Sequence, residues 1–236
     1  MTMPSVERKV VIRHDLLFRL AHWAIFIEGT ILVVTGFELG GILGGALLPL
    51  SNVTFHVLVG IAFIGTAAIY AVGIISGGDY RWVALQRIPY SFRYIFAETM
   101  GWFGFAPKPP NPVVYDTDRN QYAEKLVPSV IVVFWAFVLL GVVLGLTGLA
   151  LTFKEQFGFV YVITDFIGGA LTGVTGVAFM LTFHRLVTYL LLLLVMMHIY
   201  ASFIFKLVTS MITGRRAERI TLRVVPAAAP DSKGGD

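Results

Sequence analysis

The run Phe183-His184-Arg185-Leu186-Val187-Thr188-Tyr189-Leu190-Leu191-Leu192-Leu193-Leu194-Val195-Met196-Met197-His198 places two histidines fourteen residues apart inside one long apolar segment. On a helix with about 100° and 1.5 Å per residue, fourteen steps return to within roughly 40° of the same face, about 21 Å further along the axis. One helix would then present two imidazoles to a common interior, near opposite sides of a bilayer whose hydrocarbon core is about 30 Å thick. Two further histidines, His22 and His56, lie near the starts of two other apolar segments. Four imidazoles that pair by depth read as two bis-histidine haem sites stacked across a membrane.

The composition places the chain in lipid independently of the histidines. Hydrophobic residues make up 57% of the 236 residues and charged residues 14%, which excludes an ordinary soluble domain. Nothing between the apolar segments is large enough for a separate soluble core, so the expected fold is all-α, one integral membrane four-helix bundle. There is no cysteine. That excludes a covalently attached c-type haem, a cysteine-ligated iron–sulfur cluster, a disulfide and a thiolate metal site within this chain. If the protein handles electrons, another subunit supplies them.

Four segments are long enough to span, at residues 20–37, 55–75, 127–151 and 177–211, given that about 20 apolar residues cross a bilayer. The fourth exceeds that length and is expected to tilt or project into water. The run after Arg19 is too long for a cleavable signal and reads as the first span. Lysine and arginine set the orientation. Arg8, Lys9, Arg13 and Arg19 precede the first span; Arg81, Arg87, Arg93, Lys108, Arg119 and Lys125 lie between the second and third; Arg215, Arg216, Arg219 and Arg223 follow the fourth. The two opposite connections contain only Lys154, so both termini are expected in the cytoplasm and the bundle in the cell's inner (plasma) membrane.

The expected organisation is a cytoplasmic segment at 1–19, the transmembrane unit at 20–212 and a partly disordered cytoplasmic tail at 213–236. The pI near 9.4 needs no nucleic acid to explain it, because the basic residues fix topology and meet anionic lipid headgroups. In the long loop, Trp82, Tyr90, Phe92, Tyr94, Phe96, Trp102 and Phe103 alternate with basic residues. This predicts an amphipathic helix over Tyr80 to Phe105 on the cytoplasmic membrane surface. Pro107, Pro109, Pro110 and Pro112 then impose an extended stretch.

With that topology, His22 pairs with His198 on the inner side and His56 with His184 on the outer side. Two axial histidines close an iron to outside ligands, which suits electron transfer. Gly29 and Gly36 follow His22 on its face, and Gly60 follows His56 by one turn, leaving room for a flat macrocycle or, equally, for close helix packing. Arg185 is placed either to pair with a haem propionate or to anchor at the interface. Glu28 is placed either to take part in proton delivery or, as the commoner case, to snorkel to the interface; His14 is expected to be solvated or interfacial, and Glu38 and Asp165 to be solvated. No nucleophile–base pair or phosphate-cradling glycine loop is evident, so whether the chain has substrate chemistry of its own is open.

The opening Arg13-His14-Asp15-Leu16-Leu17-Phe18-Arg19-Leu20-Ala21-His22-Trp23, the Thr35-Gly36-Phe37 closing the first span, His56 opening the second and the His184 to His198 spacing carry a family likeness. Over roughly residues 10 to 212 the chain resembles the gamma (cytochrome b) subunit of membrane-bound formate dehydrogenases, and more broadly the bacterial cytochrome b561 and nickel–iron hydrogenase cytochrome b group. The resemblance implies two haem b groups, His56 and His184 holding the outer and His22 and His198 the inner. It implies a catalytic oxidoreductase subunit and an iron–sulfur subunit as partners, and transfer of electrons across the membrane to menaquinone or ubiquinone. In formate dehydrogenase gamma subunits a lysine-tyrosine-asparagine-x-glycine-glutamine-lysine stretch lies beside the inner haem. The matching positions here read Arg119, Asn120, Gln121, Tyr122, Ala123, Glu124 and Lys125, of which only the final lysine is kept. The resemblance therefore puts a quinone site at Gln121, Tyr122, Ala123, Glu124 and His198, with Ala123 changing the pocket's shape. The competing readings are a haem-free proton relay or transporter using the histidines, and an inert structural membrane anchor.

Overall fold

The computed structural model describes residues 7–44 and 52–220. Four long apolar helices, α1 (Leu16–Leu39), α2 (Val53–Ser76), α4 (Pro128–Thr152) and α6 (Gly176–Ile204), are each long enough to cross a bilayer. Local chemistry marks their starts. Asp15 accepts the Phe18 N–H at 2.7 Å and Asn52 accepts the Phe55 N–H at 2.8 Å, each satisfying a backbone donor that the first helical turn leaves free. Pro128 opens α4, where its missing N–H costs nothing. The chain alternates direction through α1, α2, α4 and α6, with α1 along α2 and α4 along α6.

Most of the surface of these helices is apolar and exposed, as at Leu58, Leu139, Leu193 and Phe203. In lipid such a face carries no penalty, while helical hydrogen bonding satisfies the backbone internally. Fully enclosed positions are few, among them Ile131, Ala150 and Met180 and, unusually for polar side chains at such depth, Thr35 and Thr147.

Strand β1 (Arg8–Ile12) pairs antiparallel with β4 (Arg215–Arg219), Arg8 opposite Arg219 and Ile12 opposite Arg215, so the two ends of the described chain close on one side of the bundle. That terminal side also carries two short 3-10 turns (Asp79–Trp82 and Leu85–Arg87), helix α3 (Ile88–Trp102) and a hairpin of β2 (Val114–Asp116) and β3 (Gln121–Glu124). A short helix, α7 (Val208–Thr213), leads from α6 into β4. The far side carries α5 (Gly158–Leu171), an apolar helix too short to span, packed on α4 and α6.

Several expectations are corrected. The first helix begins at Leu16, ahead of the expected span, because Asp15 caps it. The aromatic loop forms two 3-10 turns and a 15-residue helix rather than one helix from Tyr80, since Gly78 is left-handed and Pro89 reopens the helix after Arg87. The connection before the fourth span, on whose structure the sequence reading is silent, contains the helix Gly158–Leu171. At 215–219 the tail is a strand, and the expectation of disorder beyond Val225 lies outside the described residues.

Candidate functional site

Towards the far side, His56 on α2 faces α1 and His184 on α6 faces α4, in matching surroundings. His56 Nδ1 is 2.7 Å from Thr35 Oγ1, and His184 Nδ1 is 2.7 Å from Thr147 Oγ1. The next residue in each case is glycine. A Cβ on Gly36 would stand 3.4 Å from His56 Cε1, and one on Gly148 would stand 3.6 Å from His184 Cε1. A Thr-Gly dipeptide on one helix thus meets a histidine of its neighbour twice, once in α1–α2 and once in α4–α6. Thr35 enters the sequence reading only within the family likeness and Thr147 not at all; Thr-Gly also occurs at 172–173, 175–176 and 213–214, so the dipeptide alone does not mark them.

Towards the terminal side, His22 lies six residues from the start of α1 and His198 six residues from the end of α6. Their ring centroids are 6.2 Å apart with planes at 49°. Two imidazoles bound to opposite faces of one metal, each nitrogen about 2 Å from it, have ring centroids roughly 6 Å apart, so this spacing suits a shared ion. Phe137 of α4 presents its ring edgewise to His198 at 5.5 Å, and Trp23 stands edgewise to His22 at 5.9 Å. The Trp23 indole N–H in turn donates to Met211 O at 3.1 Å, tying α1 to α7. Among the described residues no group of three or more His, Asp or Glu side chains converges as a metal cage. Imidazoles offered in twos suit a metal that brings its other ligands in a flat macrocycle.

The terminal side is covered by a polar apron. Arg13 pairs with Glu218 and donates to Lys125 O at 2.8 Å, both side chains being buried. Lys125 donates to Asp79 Oδ1 at 2.7 Å, and Arg87 grips both oxygens of Glu124 at 2.7 and 2.8 Å. The Tyr122 hydroxyl donates to Glu218 at 3.4 Å, and burial pushes its pKa up to about 12. Gln121, Tyr122, Ala123 and Glu124 therefore form the β3 edge of this apron. No hydrogen bond, ion pair or ring contact joins them to His198 among the described residues, and Glu124 is committed to Arg87.

His14, expected to be solvated or interfacial, is half-buried. It stacks on Phe18 at 4.9 Å, its Nδ1 is buried, and burial, then the charges of Arg13 and Lys125, push its pKa down to about 3. Glu28 does not snorkel. It lies twelve residues into the 24-residue α1, at mid-depth, where it accepts a hydrogen bond from Thr66 of α2 at 3.0 Å. Asp165 is likewise engaged, accepting the Gly176 N–H at 2.6 Å, and Glu38 is half-buried in the last turn of α1. Gly29 and Gly60 face Phe63 and Leu32 across the α1–α2 contact rather than a histidine. Arg185 is exposed at the far side, its guanidinium carbon 3.7 Å from where a Cβ on Gly40 would stand.

A sequence model of a family described as prokaryotic cytochrome b561 matches residues 13–214, from the arginine of the apron to the glycine before β4. No curated protein and no solved structure matches the chain. The matched stretch contains all four transmembrane helices and His22, His56, His184 and His198. By that match the chain belongs to the prokaryotic cytochrome b561 family, multi-pass inner-membrane b-type cytochromes that carry electrons.

Proposed function

We propose that this cytochrome holds two haem b groups, one between His22 and His198 and one between His56 and His184, and anchors a larger oxidoreductase to the membrane. The observation that carries the reading is the arrangement of four histidines in two sets at two depths, with the His22 and His198 rings 6.2 Å apart and each far-side imidazole beside a glycine that leaves its flank open. Haem b held by these histidines would supply one-electron exchange. The chain's own residues orient those imidazoles, exclude water with apolar helix faces, and present a charged apron at one end.

Electrons enter at the far side from an iron–sulfur subunit and leave to a quinone at the terminal side, as the likeness to formate dehydrogenase gamma subunits implies. The donor enzyme is formate dehydrogenase-like or hydrogenase-like. The quinone head group lies between His198 and the Gln121–Glu124 strand, with Tyr122 and the buried Glu218 beside the incoming protons. Glu124 acts there as the anchor of Arg87, which donates to both of its oxygens.

The test is haem counting by pyridine haemochrome, with reduced-minus-oxidised spectra, on the detergent-purified chain. Two b haems are expected in the wild type, and one each in His184→Ala and His198→Ala, with different spectral components lost. A wild-type chain with one haem, or variants that keep both, would overturn the assignment. Purification with a tagged partner tests the anchor role: an iron–sulfur subunit should travel with the cytochrome.

A further inference from the structure

We infer that Thr35 and Thr147 are positioning residues, each accepting the Nδ1–H of the histidine it faces and so holding His56 and His184 with Nε2 bare towards the metal. This rests on the proposed assignment of those two histidines to one haem.

The argument starts from one hydroxyl proton. Thr35 Oγ1 lies 2.8 Å from Ile31 O and 3.2 Å from Leu32 O, and Thr147 Oγ1 lies 2.8 Å from Val143 O and 3.2 Å from Leu144 O. Those carbonyls can only accept, so each hydroxyl proton is drawn back onto its own helix, as is usual for a helical threonine. The hydroxyl oxygen then meets Nδ1 as an acceptor, and the 2.7 Å contact is filled when Nδ1 carries the imidazole proton. In that tautomer the lone pair is on Nε2. The opposite tautomer would pull the hydroxyl away from its carbonyl and put a proton where the metal ligand is needed.

Three further observations separate this from ordinary threonine packing. Thr164 makes the same two-carbonyl contact at 3% exposure without a histidine partner among the described residues, so the Nδ1 at 2.7 Å, and not burial, sets Thr35 and Thr147 apart. A branched Cβ has few rotamers, so the acceptor is fixed in direction. The arrangement occurs at both far-side histidines, while His22 Nδ1 on the terminal side has no hydrogen-bond partner among the described residues. The two histidine sets are thus braced differently.

A hydrogen bond from Nδ1 raises the basicity of the ligating imidazole, which favours the ferric state and lowers the reduction potential. Removing the acceptor should raise it. The experiment is an optical redox titration and ferric-state electron paramagnetic resonance of the purified, haem-loaded chain. Thr35→Val and Thr147→Val are each expected to raise the midpoint of one haem by about tenfold in its ferrous-to-ferric ratio, or 59 mV for one electron. The other haem should not move. Thr35→Ser and Thr147→Ser, which keep the hydroxyl, should titrate like the wild type. Should a valine variant lose that haem, the matching alanine variant removes the same hydroxyl with less bulk and carries the same expectation. Unchanged midpoints and spectra, or equal shifts of both haems, would overturn the inference. His56→Ala and His184→Ala separate the two claims. If either retains the haem, the ligand assignment is wrong, whereas loss of the haem there with silent threonine variants leaves the assignment standing and the bracing wrong.

Discussion

A histidine enclosed beside fixed positive charges stays neutral at physiological pH, and His14 is in that position. Its folded pKa near 3 lies below the ordinary 6.5, so the unfolded chain binds this proton more readily than the folded one. The stability it contributes is whole above pH 6.5 and is lost as the pH falls from there towards 3. His14→Phe keeps the stacking on Phe18 and removes the titration. From about pH 7.5 down to about pH 4.5, a range that runs from above the ordinary histidine value towards the lowered one, the wild type's thermal midpoint should therefore fall more steeply than the variant's. Parallel curves would mean that His14 takes up its proton without cost. The depths of His22, His56, His184 and His198 were legible in the sequence because an ionisable ring inside an apolar run is rare and its spacing converts directly to depth. His14 was not, because the strand pairing that encloses it joins residues about as far apart as the chain allows: Arg8 lies opposite Arg219. Thr35 and Thr147 were obscured for a different reason. Threonine in a membrane helix ordinarily bonds its own backbone, so that only the facing helix reveals a second partner.

Among the elements, the transmembrane helices follow from length and apolarity, and the short ones do not. Helix α5 has 14 residues and glycines at 158, 168 and 169, a composition that reads as a connection. Its stability comes from its contacts with α4 and α6, where Val160 and Tyr161 pack with Ala150 and Met180. One of those glycines is indispensable. A Cβ at Gly168 would stand 2.3 Å from Val174 O and 2.6 Å from Phe179 Cγ, so the turn from α5 into α6 closes only over a bare α-carbon. Gly168→Ala is expected to destabilise the protein by about 1–3 kcal/mol through forced displacement of backbone and ring. Gly158, where an added Cβ meets nothing within 4 Å, is the control. Equal melting temperatures for the two alanine variants would show that the turn yields without cost. The same turn positions Asp165 against Gly176, so its loosening should also reach His184, which lies eight residues into α6.

For the molecule as a whole, the closing of both chain ends on one side decides where charge resides. β1, β4, the 3-10 turns and the β2–β3 hairpin gather Arg13, Arg87, Lys125 and Arg216 there, whereas Lys154 and Arg185 are the basic residues of the far side among those described. Several of the terminal-side cations are paired, Arg13 with Glu218, Arg87 with Glu124 and Lys125 with Asp79. Pairing in the folded state does not cancel their effect on insertion, because orientation is set by lysine and arginine near the spans and acidic residues count for little. The terminal side is therefore expected to face the cytoplasm. A fluorescent protein fused after residue 220 should fold and fluoresce in cells, and alkaline phosphatase fused at the same point should be inactive. The reverse pattern would invert the bundle and, with it, the proposed traffic. In the expected orientation the proposed electron path, in beside His56 and His184 and out beside His22 and His198, would run inward across the membrane, and a quinone reduced at the apron would take its protons from the cytoplasm. Both movements charge the membrane in the same sense, with about 2.3 kcal/mol per elementary charge per 100 mV. In the inverted orientation the same electron path would discharge it, so the fusion result fixes the sign of the protein's contribution to the membrane potential.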